Sequence, residues 1–232
     1  MDLVWDGIRQ ALRILATGDR DVWEITLRSL YISGSATAIA LVIGVAAGAA
    51  LAFRRFPGRG LIMALVNTSM GLPPVVVGLM VAILLWRSGP LGELNLIYTP
   101  GAMIVAQTVI AAPLVTGFSA AALGALPQRL RPQLYALGAS RLQMLWLVML
   151  EARLPLLAAV MAGFGAAVSE VGASMMVGGN LAGDTRVLTT AVVLEVSRGD
   201  FELAIALSVV LLLFIFLVNL VLTGVQQQER RS

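Results

Sequence analysis

The stretch Leu203–Leu222, LAIALSVVLLLFIFLVNLVL, contains no charged residue. About 20 helical residues cross a hydrocarbon core of about 30 Å, so this run reads as a membrane span. Four more runs toward the N-terminus read the same way. Leu154–Val177 is interrupted by Glu170, and Gly101–Leu126 is expected to break at Pro113. Leu61–Trp86 carries Pro73 and Pro74 near its middle, and Leu30–Phe53 ends directly on Arg54 and Arg55. The fold class is an all-α integral membrane protein of about five transmembrane helices.

Composition points to the same solvent. Of 232 residues, 59% are hydrophobic and 12% charged, with a mean hydropathy of +0.90. A soluble domain of this size needs more charged surface to cover its core. The chain has no Cys, no His and no Lys, and all 16 basic residues are Arg. This removes Cys and His metal sites, disulfides, Ser-His and Cys-His catalysis, Schiff-base chemistry and a P-loop lysine. The chain is therefore expected to be no enzyme and to hold no cofactor; any ATP is bound by another chain. The Arg residues lie scattered over short loops, which marks membrane topology and not a nucleic-acid surface.

Three regions follow: an N-terminal segment 1–29, a membrane domain 30–225 and a tail 226–232. Residues 3–16 place Trp5, Ile8, Leu12 and Leu15 at helical spacing, with Asp6, Arg9 and Arg13 on other faces, the pattern of an interfacial amphipathic helix. Without a cleavage site after it, the first span is expected to act as an uncleaved anchor. Arg54, Arg55, Arg59, Arg129, Arg131, Arg141, Arg153, Arg230 and Arg231 fall on one side with only Glu151 and Glu229. The other side carries more acidic than basic residues. Positive loops stay cytoplasmic, so the N-terminus is expected outside and the C-terminus inside.

Pro127–Pro155, PQRLRPQLYALGASRLQMLWLVMLEARLP, is neither a polar linker nor a span. Leu134–Leu137 can form a short helix, Gly138 can close it, and Ser140 can cap a second helix through Arg141–Leu150. Such an elbow either seats on a partner surface or lies in the membrane interface as a plain connector. Its segment LGASRLQMLWLVMLEARLP resembles the EAA loop of ABC importer permeases at Leu137, Gly138, Ala139, Ser140, Arg141, Leu154 and Pro155. Pro132, Gln133 and Leu134 stand where Glu-Ala-Ala would be. RSLYISGSATAIAL, FPGRG, GLPPVVVGL, SGPLGELNLIYTPGAMIVAQ and SEVGASMMVGGNLAGDTRVLTTAVVLE are similar in order and spacing to permeases of the tungstate type, related to molybdate permeases.

The resemblance implies a MetI-like type I importer permease in the cytoplasmic (inner) membrane of a bacterium or archaeon. It implies a homodimer, with two copies of an ABC ATPase on the cytoplasmic side and an extracytoplasmic oxyanion-binding protein. The loop 127–153 would then be the coupling element. Rival cargoes are molybdate, sulfate and phosphate; a rival of another class is a stand-alone secondary transporter.

The remaining candidates sit in or near the spans. Glu170 is deep inside a span, where a bare charge costs about 2.5–3.5 kcal/mol on insertion scales. It is either a gate contact or a hydrogen-bonding partner of Gln107, Asn67 or Ser35. Pro73, Pro74 and Pro113 remove backbone donors and mark either pathway-lining breaks or packing kinks. Ala40, Gly44 and Gly48 recur every four residues, as at a close helix contact. Arg186, in a Gly-rich lip, either attracts an entering oxyanion or pairs with Asp184 or Asp200.

Overall fold

Every apolar run is largely helical in the computed structural model, which describes residues 2–231 and the side chains of 3–227. The elements are α1 (Asp2–Thr17), α2 (Arg20–Phe53), α3 (Arg59–Met70), α4 (Pro74–Leu85), a 3-10 turn (Gly92–Leu94), α5 (Pro100–Gly124), α6 (Leu130–Ala136), α7 (Arg141–Glu151), α8 (Arg153–Val168), α9 (Gly172–Gly178), α10 (Leu188–Arg198) and α11 (Phe201–Arg231). Among the described residues three helices, α2, α5 and α11, are long and apolar enough to cross a membrane alone. Two bent pairs, α3 with α4 and α7 with α8, bring the number of crossings to as many as five.

Local chemistry explains several boundaries. Gly18 turns the chain at φ +64°, and the Asp19 carboxylate accepts the Val22 N–H at 3.1 Å, so α2 starts at Arg20 and not at Leu30. At its other end, α2 stops at Arg54. Thr99 accepts the Ala102 N–H at 3.4 Å and Pro100 opens α5, where a missing donor costs nothing. Gly199 ends α10 at φ +79°, after which Asp200 caps α11 by accepting the Leu203 N–H at 3.0 Å.

Span two is not a straight helix. α3 and α4 meet at 103°, because Pro73 and Pro74 cannot donate into a continuous ladder. The fourth run is also divided, since α8 ends at Val168 and α9 begins at Gly172. Pro113, by contrast, does not break its span. It lies inside α5, which runs without interruption to Gly124 because packed neighbours hold the helix on both sides of the missing donor.

The centre of the fold is the α2–α5 contact. Ile32, Ala36, Ala40, Gly44 and Gly48 form one buried face of α2. A Cβ at Gly44 would lie 2.7 Å from Val115 Cβ, and one at Gly48 would lie 2.8 Å from the Thr116 carbonyl oxygen. The backbones thus touch directly, as small residues allow in a bilayer where lipid is as apolar as leucine. α8 closes on the same place: a Cβ at Gly163 would lie 2.7 Å from Val115 Cγ2, and Ala159 shares the cluster with Ala40, Ala111 and Val115.

α1 packs along α11 with only part of the apolar face its sequence suggests. Gly7 and Ala11 are buried, with Gly7 against Ile205, while Trp5 and Leu12 are exposed. Small residues take the closest helix contact, Ile14 and Leu15 pack beside Leu207 and Val210, and Trp5 and Leu12 turn outward, where a bilayer solvates them. The segment 226–231 continues α11. Ser232 and the side chains of Glu229, Arg230 and Arg231, which enter the topology argument, lie outside the described residues.

Gly44→Ala forces its Cβ into Val115 and should destabilise the fold by about 1–3 kcal/mol. Gly34→Ala meets nothing within 4 Å and gains helix propensity. Thermal unfolding of the two purified variants in one detergent should move in opposite directions, with Gly44→Ala melting lower.

Candidate translocation and coupling site

The elbow is built by three local devices. α6 ends at Ala136, Gly138 takes the left-handed φ of +85°, and Ser140 starts α7. Ser140 Oγ accepts the Gln143 N–H at 3.3 Å while Gln143 Oε1 accepts the Ser140 N–H at 2.9 Å, a reciprocal capping box. One face of α7 is anchored, with Met144 and Val148 buried against Ala49 and Leu123. The other face and the turn are open: Leu137 is 84%, Leu142 80% and Trp146 70% exposed. Ala139 is half-buried and Arg141 exposed.

Leu154 and Pro155 do not join this tip. They lie in the first turn of α8, at the 73° bend from α7. Pro155 has no N–H to extend α7 onto the Glu151 carbonyl, yet it is harmless in a first turn that needs no intrahelical donors.

The two interrupted helices meet. A Cβ at Gly172, opening α9, would lie 2.5 Å from Val75 Cγ2, and one at Gly78 of α4 would lie 2.5 Å from the Ala173 Cα. Pro73 and Pro74 therefore sit beside the break that contains Glu170. Glu170 is buried, and its Oε1 accepts the Ala173 N–H at 2.7 Å, satisfying a free donor at the start of α9. The partners expected from the sequence are not used. Gln107 Nε2 donates instead to Ser174 Oγ at 3.2 Å, in the next turn of α9. Pro113 stands one turn before Gly117, which lies against Met70 at the end of α3.

The lip between α9 and α10 is held by uncharged acceptors. Arg186 Nη2 donates to the Asn180 carbonyl at 3.4 Å, and its Nε is buried without a partner. Neither Asp184 nor Asp200 pairs with it among the described residues. Arg28 of α2 donates to the Gly183 carbonyl at 2.9 Å and the Arg186 carbonyl at 3.2 Å. Ser29 Oγ accepts the Leu188 N–H at 2.9 Å, and the Thr189 hydroxyl donates to the Glu170 carbonyl at 3.0 Å. Sequence reading quoted Arg28, Ser29, Ser174 and Thr189 only within family-like segments and gave them no role. Their only local signal is that a polar residue in an apolar setting needs a partner.

A frame of close-packed helices, two adjacent breaks and an apolar elbow suit a transport subunit moved by another protein. Residues 10–230 match the family described as binding-protein-dependent transport system inner membrane component. The chain belongs to this family. The permease is 38% identical over 228 residues to a tungstate uptake system permease of Peptoclostridium acidaminophilum, covering 98% of this chain and 100% of that one. It is 41% identical over 201 residues to a probable anion ABC transporter permease of Haloferax volcanii, covering 84% and 87%. A molybdenum transport permease of Escherichia coli is 27% identical over 177 residues, covering 73% and 77%. A chain of the inward-facing MetNI methionine ABC transporter superposes with a TM-score of 0.70 at 22% identity, covering 90% of the permease and 94% of that chain. The fold is therefore that of MetI-like type I importers. As a permease of this family it is an integral-membrane, non-catalytic subunit that works with a separate ATPase and a substrate-binding protein.

Glu170→Gln keeps an acceptor for the Ala173 N–H and should retain assembly and most transport. Glu170→Leu leaves a buried donor unpaired at a cost of about 1–3 kcal/mol. The yield of monodisperse permease should fall for Leu and hold for Gln.

Proposed function

We propose that the permease carries an inorganic oxyanion inward, with tungstate as its cargo. The observation that carries this reading is similarity along the whole chain to a tungstate uptake permease, joined to the run Gly183–Ala191, GDTRVLTTA, which resembles a short element shared by molybdate permeases. Two copies of the chain would enclose the pathway at their interface. Pro73, Pro74, Pro113, Glu170 and Arg186 would belong to the pathway or its gate. Glu170 and its neighbours would hold the break, since a carboxylate repels the cargo.

Leu137, Gly138, Ala139, Ser140, Arg141, Leu154 and Pro155 form the ATPase-coupling element in this reading. Large apolar side chains on a protruding turn gain most by seating in a partner's groove. The N-terminal segment 1–29 would lie at the outer surface, with the domain 30–225 in the bilayer and the tail 226–232 in the cytoplasm. ATP would be bound by the ATPase alone, and this chain would need no cofactor.

The deciding experiment reconstitutes the permease with its ATPase and binding protein in proteoliposomes. ATP hydrolysis and uptake should rise with tungstate above molybdate and sulfate; an equal response to sulfate would reject the cargo assignment. Gly138→Val cannot adopt positive φ without strain of about 1 kcal/mol or more, so it should insert normally but lower uptake per ATP.

Orientation has its own measurement. Single cysteines at Ser88, Gly183 and Gln227 of this Cys-free chain should be labelled from outside at Ser88 and Gly183 and protected at Gln227. Labelling of Gln227 would reverse the orientation.

A further inference from the structure

We propose that the cavity between the last turns of α2 and the elbow binds an anionic phospholipid, its phosphate on the arginines and an acyl chain along α2. The inner-leaflet placement rests on the orientation proposed above; the binding chemistry does not.

The cavity is about 490 Å³ and opens between α2, α6 and α7. Ala46, Ala50, Leu145 and Met149 form its apolar wall, and Arg54, Arg131, Arg141 and Tyr135 line it as well. The side of α2 that it uses carries only methyl groups at 46, 49 and 50, so little side chain stands between the cavity and the helix backbone. This apolar wall suits a hydrocarbon chain.

Charge defines the other end of the ligand. No carboxylate pairs with Arg54, Arg131 or Arg141 among the described residues. Arg131 donates through Nη1 to the Phe53 carbonyl at 3.3 Å, and its guanidinium carbon lies 4.6 Å from the centre of the Phe53 ring. Its Nε is buried with no partner. A neighbouring cavity of about 250 Å³ shares Arg131 and Phe53 and adds Arg55 at its edge. Guanidinium groups fork onto phosphate oxygens, and basic pockets between membrane helices on the cytoplasmic side suit anionic headgroups.

The cavity shares only Arg141 with the proposed coupling element. Leu137, Leu142 and Trp146, the most exposed apolar side chains of the elbow, do not line the cavity. An occupant would bridge the end of α2 to α7 and leave that surface free.

The test is native mass spectrometry of the detergent-purified full chain titrated with dioleoyl phosphatidylglycerol or dioleoyl phosphatidylcholine. In detergent both faces are open, so failure here is distinct from failure of the proposed orientation. One phosphatidylglycerol per chain should bind about tenfold or more tighter than phosphatidylcholine. Arg54→Gln/Arg131→Gln/Arg141→Gln should abolish that preference, whereas Arg9→Gln/Arg13→Gln on α1 should leave it intact. Ala46→Leu/Ala50→Leu fills the cavity without touching charge and should also weaken retention. No preference in the wild type, or an unchanged one in the triple Arg variant or in the Ala variant, overturns the site. Displacement of the lipid by millimolar tungstate or phosphate would make it a free-anion site and likewise overturns the proposal. Circular dichroism of each variant, with the corresponding triple Arg→Lys variant retaining binding, separates loss of the site from loss of fold.

Discussion

The fold of this permease is centred on a contact between two backbones. Along Ala40, Gly44 and Gly48, α2 has so little side chain that α5 lies directly on it. In a bilayer, apolar surface gains nothing by leaving lipid, so association depends on how tightly helices pack and on the few hydrogen bonds between them. The Thr108 hydroxyl supplies one such bond, reaching the Ala36 carbonyl at 3.4 Å. Val115 then fills the space between Gly44 and Gly163, which fixes α8 against the same pair. The remaining elements are placed relative to this three-helix frame.

Two kinds of irregular backbone hang from the frame. The breaks at Pro73–Pro74 and at Glu170 bring the short helices α4 and α9 together, with Gly78 on Ala173. Glu170 is well suited to such a place, because its carboxyl meets the free N–H of Ala173 without calling on another span. The elbow is the second kind. Its turn is fixed by Gly138 and the Ser140–Gln143 capping box, while Met144 and Val148 tie it to α2 and α5. The turn is thus rigid and its root firmly packed.

The sequence by itself determined the all-helical membrane class, the apolar runs and the elbow, because each rests on local physics. Twenty apolar residues must form a helix in hydrocarbon, a glycine between two short helices accepts positive φ, and Ser140 with Gln143 three residues on caps whatever follows. The small-residue spacing of Ala40, Gly44 and Gly48 was equally legible. Only the tertiary structure decided which way the residues face and how far the breaks bend. Hydropathy cannot tell a core-facing leucine from a lipid-facing one, so Trp5 and Leu12 turned outward while Gly7 and Ala11 took the contact with α11. Neighbouring helices, not proline alone, made a 103° bend at Pro73–Pro74 and an unbroken helix at Pro113. For the same reason the partners of Glu170 and Arg186 could not be read in advance. A polar group inside a membrane protein takes whichever donor or acceptor the fold brings within reach, and for these two that was the backbone.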